Sequence, residues 1–153
     1  MITIEKLMEA AESALRRHFT LIVNGVKLRP EVYDHTDEIF LDGEEGVAVW
    51  CDIPKGSLSF FRGTVSMIIN ADEDLVLTSV FFGEACLDKD RAEDLCDGLD
   101  LGSWEIEKLD DDLMLVSDFP ASLDLEEELT RRFGEFLDEG FAGEIKELLT
   151  CFK

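Results

Sequence analysis

Only two histidines, His18 and His35, stand among the 153 residues, so acid–base and metal chemistry near neutral pH has few side chains to draw on. His35 lies in Asp34-His35-Thr36-Asp37-Glu38, a polar stretch that reads as a solvated turn. A metal site there would need a neutral imidazole and several carboxylates converging in space. The D-x-D pairs Asp72/Asp74, Asp88/Asp90 and Asp110/Asp112 carry oxygens suited to Mg²⁺ or Ca²⁺, but such pairs arise often by chance among 36 acidic residues. Residues 94–105 have the length of a calcium loop and fail as one. Cys96 and Gly98 stand at liganding positions, and Leu99 stands where the sharp turn needs glycine. There is no G-x-S-x-G elbow, no phosphate-binding glycine loop and no H-E-x-x-H pair. We therefore expect no catalytic residues, no metal and no cofactor; a small metal-dependent enzyme is the weakest alternative.

Charge narrows the partners further. The net charge is -22, unevenly spread: residues 1–33 hold five basic and four acidic side chains, and residues 34–153 hold nine basic and 32 acidic ones. That field repels phosphate backbones and anionic membrane, so neither nucleic acid nor membrane is an expected partner. It favours encounter with basic proteins. The expected acidic surface is the turn Asp110, Asp111, Asp112 and the helix start Glu126, Glu127, Glu128. No run reaches the roughly 18–20 apolar residues of a membrane helix. Glu5 and Lys6 interrupt any secretory signal, and Cys51, Cys86, Cys96 and Cys151 lie among apolar neighbours outside any C-x-x-C pair. A reduced, cytoplasmic protein is expected.

The elements that must position these groups follow from periodicity. Thr3 can cap a helix over residues 3–19, with Ile4, Leu7, Met8, Ala11, Leu15 and Phe19 on one face. Asn24-Gly25 between Thr20–Val23 and Val26–Leu28 predicts a tight hairpin, ended at Pro30 by a loop to Asp37. Glu38–Leu41, Val47–Ile53, Leu58–Arg62, Val65–Asn70 and Leu75–Phe82 read as strands of an antiparallel meander. A helix over Asp88–Leu99 and a hairpin of Trp104–Leu109 with Leu113–Asp118 follow. Asp124 and Glu127 form a capping-box start for a helix whose stripe is Leu125, Leu129, Phe133, Phe136 and Leu137, with a break at Gly140 and Gly143 before Glu144–Phe152. The fold class is α+β over one domain, residues 1–153. It is an antiparallel meander with N-terminal, middle and C-terminal helices packed mainly on one face.

Several of these strands are apolar on both faces. Adjacent strand residues point to opposite sides of a sheet, so the pairs Phe60-Phe61 and Phe81-Phe82 each place one ring on either side. If helices cover one side, the other needs a helix, a twin subunit or a client protein. Trp50, Phe60, Phe61, Phe81 and Phe82 are the candidate partner-binding residues, with register deciding which face outwards.

The segment LVLTSVFF leads into DKDRAEDLCDGLDLGSWEIEKLDDDLMLVSDFP, and LDLEEELTRRFGEFLDEG follows. This order, over about residues 38–140, is similar to the YbjN-like family and the related fold of type III secretion chaperones. The resemblance implies a non-enzymatic, often dimeric protein that holds or regulates another protein; it supplies no functional residues, since that family has no catalytic motif. The leading expectation is a chaperone-like or regulatory homodimer binding a partner through an apolar sheet face. The alternative is an acidic immunity or inhibitor protein that neutralises a basic toxin or mimics nucleic acid.

Overall fold

Thr3 starts the first helix by accepting a hydrogen bond from the Lys6 amide at 3.2 Å, one of the donors a helix start leaves unmet. The computed structural model describes residues 2–36, 46–58, 61, 63–83, 101–109 and 113–148. Helix α1 (Ile4–Phe19) buries Leu7, Ala10, Ala11, Ala14, Leu15 and Phe19; its three alanines let the helix lie close to what it covers. The hairpin β1 (Leu21–Val23) and β2 (Val26–Leu28) turns on Asn24 and Gly25, at φ 52° and 77°, the positive values that a two-residue turn between strands requires. It forms a two-stranded sheet of its own.

The main sheet has six antiparallel strands in the order β3-β4-β5-β6-β8-β7. They are β3 (Glu31–Asp34), β4 (Val47–Ile53), β5 (Val65–Ala71), β6 (Leu75–Phe82), β7 (Glu105–Leu109) and β8 (Leu113–Pro120). The meander runs only to β6, because β8 takes the place beside it and β7 lies outside at the edge. Strand β3 occupies part of the stretch expected as loop: residues 31–34 pair with Asp52–Val49, and Pro30 precedes the first paired residue, so its missing N–H costs no ladder bond. The expected strand at Leu58–Arg62 is not one at its described residues. Leu58 and Phe61 are joined by a turn bond from the Phe61 amide to the Leu58 carbonyl. The expected strand at 38–41 and helix at 88–99 lie outside the described residues.

Helix α2 (Leu125–Glu135) begins as its capping signal predicts, with Asp124 accepting from the Glu127 amide at 2.9 Å. Helix α3 (Glu139–Leu148) starts earlier than the glycines suggested. Asp138 accepts from the amides of Gly140 and Phe141 at 2.8 and 3.3 Å, so a side-chain cap sets the boundary and the helix runs through Gly140 and Gly143. Leu137, placed on the buried stripe by helical counting, is exposed because α2 has already ended.

The three helices among the described residues contribute to one core against one face of the sheet. That face carries Val49, Cys51 and Ile53, then Val65, Met67 and Ile69, then Val76, Val80 and Phe82, and finally Leu113, Leu115 and Phe119. Rings tighten it: Trp104 lies 4.9 Å from Phe136, Phe136 meets Phe141 edge-on at 5.0 Å, and Phe61 meets Phe82 edge-on at 5.3 Å. Such pairs contribute about 1 kcal/mol each beyond area burial.

Among the described residues one charge enters this core. Arg132 sits on the buried stripe of α2 beside Leu129 and Phe133. Its Nε donates to Ser117 Oγ at 2.9 Å, a terminal nitrogen donates to the Asp118 carbonyl at 3.2 Å, and the other to the Glu128 carboxylate. The guanidinium carbon stands 4.5 Å from the centre of the Phe119 ring, within cation–π range. The Trp104 indole donates to the Arg132 carbonyl at 3.2 Å. The helix is thereby fixed on β8 by directional bonds rather than by apolar contact alone.

Three substitutions test this packing by denaturant unfolding. A Cβ at Gly63 would stand 2.5 Å from Phe61 Cζ and 2.7 Å from the Gly83 carbonyl oxygen, so G63A should destabilise by roughly 1–3 kcal/mol. R132A strips buried acceptors of their donor and should cost about 3 kcal/mol, against about 1 kcal/mol for S117A.

Candidate functional site

The pairing register settles which side chains face away from the described helices. Across the sheet, Tyr33, Trp50, Ile68, Ser79, Val116 and Glu105 form one row. Ser66, Phe81 and Met114 continue a second row that begins with Glu31 and Asp52. Ala48, Asn70, Leu77 and Asp118 form a third. Trp50, Ile68, Leu77, Phe81, Met114 and Val116 are each partly exposed, and none belongs to the helix-covered core. The outer face thus has an apolar centre. Among the described residues its rim carries the carboxylates Glu31, Asp52, Glu105 and Asp118, and Lys108 takes the register position beside Met114 at the β7 edge.

The β3–β4 corner of this face gathers aromatic rings beside those acids. The Trp50 indole donates to Asp52 Oδ1 at 2.8 Å, which fixes the ring along the strand. The Tyr33 hydroxyl donates to Glu31, and that bond is the leading cause holding the phenol above its ordinary 10.0. His35 follows directly on β3, its amide bonded to the Ala48 carbonyl at 2.8 Å, and its ring lies 5.5 Å from that of Trp50. The turn read from the sequence begins here, where β3 ends at Asp34, and its histidine adds a third ring to the corner. The neighbouring Asp34 accepts from the Thr36 amide and hydroxyl at 3.0 and 2.7 Å, bonds that hold its carboxyl below the ordinary range.

The candidates chosen from sequence divide accordingly. Trp50 and Phe81 lie on the outer face. Phe82 and Phe61 do not: Phe82 pairs with Val65 and Leu113 on the helix side, and Phe61 packs edge-on against it, so both are fully buried core rings. Phe60 and Asp110, Asp111 and Asp112 lie outside the described residues. Glu126 and Glu127 are exposed on the first turn of α2, where carboxylates suit the helix dipole. Glu128 is not free acidic surface. It bonds both Arg131 and Arg132, and the Arg132 bond is the main cause holding its carboxyl below the usual 4.5.

Tyr33, Ile68, Leu77, Met114 and Val116 were missed by the sequence reading. The unbroken apolar run Leu113-Met114-Leu115-Val116, which as a strand must place side chains on both faces, carried the signal for two of them; the others needed the pairing register.

Several described side chains away from this face hold the fold together. Asp72 accepts from the Asp74 and Leu75 amides at 2.8 and 2.7 Å, closing the turn between β5 and β6. His18 Nε2 lies 3.0 Å from the Thr130 carbonyl and joins α1 to α2. The Cys51 thiol is buried on the core face, and burial pushes its pKa well up, which keeps it protonated. Among the described residues no three His, Cys, Asp or Glu side chains gather as a metal set, and no helix is long and apolar enough to cross a membrane. The chain matches no protein-family model, no curated protein and no solved structure.

The ion pair on Glu128 has a pH signature. A carboxyl held below its unfolded value stabilises the fold fully above that value and loses the contribution as pH falls through the folded one. Urea midpoints should therefore fall as pH drops below 4.5, and E128Q should flatten that dependence. An unchanged slope in E128Q would show that Glu128 carries none of it.

Proposed function

We propose that this chain is a non-enzymatic protein-binding domain, chaperone-like or regulatory, that holds its partner on the outer face of the six-stranded sheet. The observation that carries the reading is the face itself. Six partly exposed apolar side chains, Trp50, Ile68, Leu77, Phe81, Met114 and Val116, stand opposite the helix-covered side and outside its core. A contiguous apolar patch rimmed by polar groups is the usual form of a protein contact surface.

The rim defines the kind of partner. Glu31, Asp52, Glu105 and Asp118 surround the apolar centre, in a chain of net charge -22. A partner with an apolar patch flanked by lysines and arginines meets both demands, burying the centre and pairing at the edge. Charge then sets the encounter rate and the register, and the apolar centre sets the residence time. The similarity to secretion chaperones in element order points to the same kind of work.

Affinity capture from the native host, with mass spectrometry, identifies the partner, and titration with purified protein then tests the face. F81E and M114E, each checked for an unchanged far-UV circular dichroism spectrum, should weaken binding by at least about thirtyfold, the effect of losing one central contact residue. E126Q with E127Q should leave affinity nearly unchanged. The reverse pattern, with the face variants binding normally and the α2 variant failing, would assign binding to the acidic helix start instead.

A further inference from the structure

The β1–β2 hairpin is the least satisfied part of the described structure. Ile22, Val26, Val23 and Leu28 are 74%, 59%, 45% and 38% exposed, four of the eight large apolar side chains exposed among the described residues. Leu21, Val23, Val26 and Leu28 share one face, since Leu21 pairs with Leu28 and Val23 with Val26. Among the described residues the ribbon pairs with no strand of the main sheet. A two-stranded ribbon is marginal in water, and a third strand or a cover is what makes such a unit stable.

Its two edges differ. Strand β2 carries Lys27, and Arg29 and Pro30 follow it. Strand β1 is Leu21-Ile22-Val23, with no charge, proline or bulge. Those are the devices that normally keep a strand edge from pairing with another chain. The main sheet uses them: β7 is bulged between Ile106 and Lys108, and β3 carries Glu31 and Asp34 behind Pro30. Among the described strands, β1 is the open edge.

Charge selects what approaches it. Two copies of this chain repel through residues 34–153, which hold nine basic and 32 acidic side chains; residues 1–33, with five basic and four acidic, are where a copy can come near without that penalty. Beside the ribbon lies a cleft of about 720 Å³ whose charges balance, Arg16, Lys27 and Arg29 facing Glu12, Glu31 and Asp52.

We infer that β1 pairs antiparallel with β1 of a second copy about a two-fold axis, with Ile22 opposite Ile22 of that copy. The product is a four-stranded sheet. One face gathers Leu21, Val23, Val26 and Leu28 from each copy; the other carries the two Ile22 side chains with a Lys27 on each flank. The contact is isologous, so it closes at two copies and forms no fibre. The strand pairing itself uses none of the six apolar side chains of the main sheet's outer face, and so stands or falls apart from the function proposed above.

Light scattering on the full chain at about 100 µM, a concentration that populates even a micromolar dimer, gives the mass. The expected mass is twice that of one chain, and association should strengthen with added salt, which screens the repulsion between two acidic bodies. I22K, at an exposed position where folding does not depend on the side chain, should weaken dimerisation at least about tenfold by setting like charges opposite each other. I22C should form a disulfide-linked dimer under mild oxidation that the unsubstituted chain, oxidised alongside, does not form. A single-chain mass at low and high salt overturns the inference. So does a dimer that I22K leaves intact, or the absence of the I22C cross-link.

Discussion

The guanidinium of Arg132 lies where an apolar side chain would ordinarily sit, on the buried stripe of α2, and the helical side of the molecule is arranged around it. A buried charge is tolerated only when paired and fully hydrogen-bonded. Glu128 supplies the countercharge from one turn earlier on the same helix. Ser117 and the Asp118 carbonyl supply acceptors from β8, and the Phe119 ring faces the cation. These bonds can all be made in only one placement of α2 on β8. Trp104 and Ser103 extend the constraint, since Trp104 bonds the Arg132 carbonyl and Ser103 donates to Glu135 at 2.6 Å. Helix α1 is then joined to α2 through His18 and Thr130.

A consequence falls on the opposite side of the sheet. With the described helices anchored to one face, the alternation of strand side chains leaves Trp50, Ile68, Phe81 and Met114 pointing the other way. Helix placement and the apolar outer face are thus two results of the same packing. The carboxylates around that face arise from the same alternation: Asp52 and Asp118 are outward neighbours of inward Cys51, Ser117 and Phe119.

Local chemistry was legible in the sequence where one residue type has one physical use. Thr3, Asn24-Gly25 and Asp124 with Glu127 mark boundaries that hydrogen bonding or positive φ enforces, and each appears where read. Position 138 was not legible, because an aspartate and two glycines close together offer rival helix boundaries; the cap formed by Asp138 decided it. The Phe81-Phe82 pair splits across the sheet as alternation requires. Phe61 did not follow that rule, because its backbone turns instead of extending, and the bare Cα of Gly63 lets its ring close in. Arg132 was invisible for a different reason. A cation beside Leu129 and Phe133 looks like the edge of an amphipathic stripe until the serine and carbonyl that receive it are in place. The outer face was half legible: apolar runs showed that a second face exists, and pairing register was needed to say which residues make it.

Trp50 reports directly on the outer face of the sheet. Trp104 is buried beneath α2, so collisional quenching of tryptophan fluorescence by acrylamide reads mainly Trp50. With the captured partner bound, the account predicts that this quenching falls sharply and that the emission moves to shorter wavelength as the indole loses water. Quenching of Trp50 that is the same in the complex as in the free chain would contradict it, and would place the contact elsewhere on the molecule.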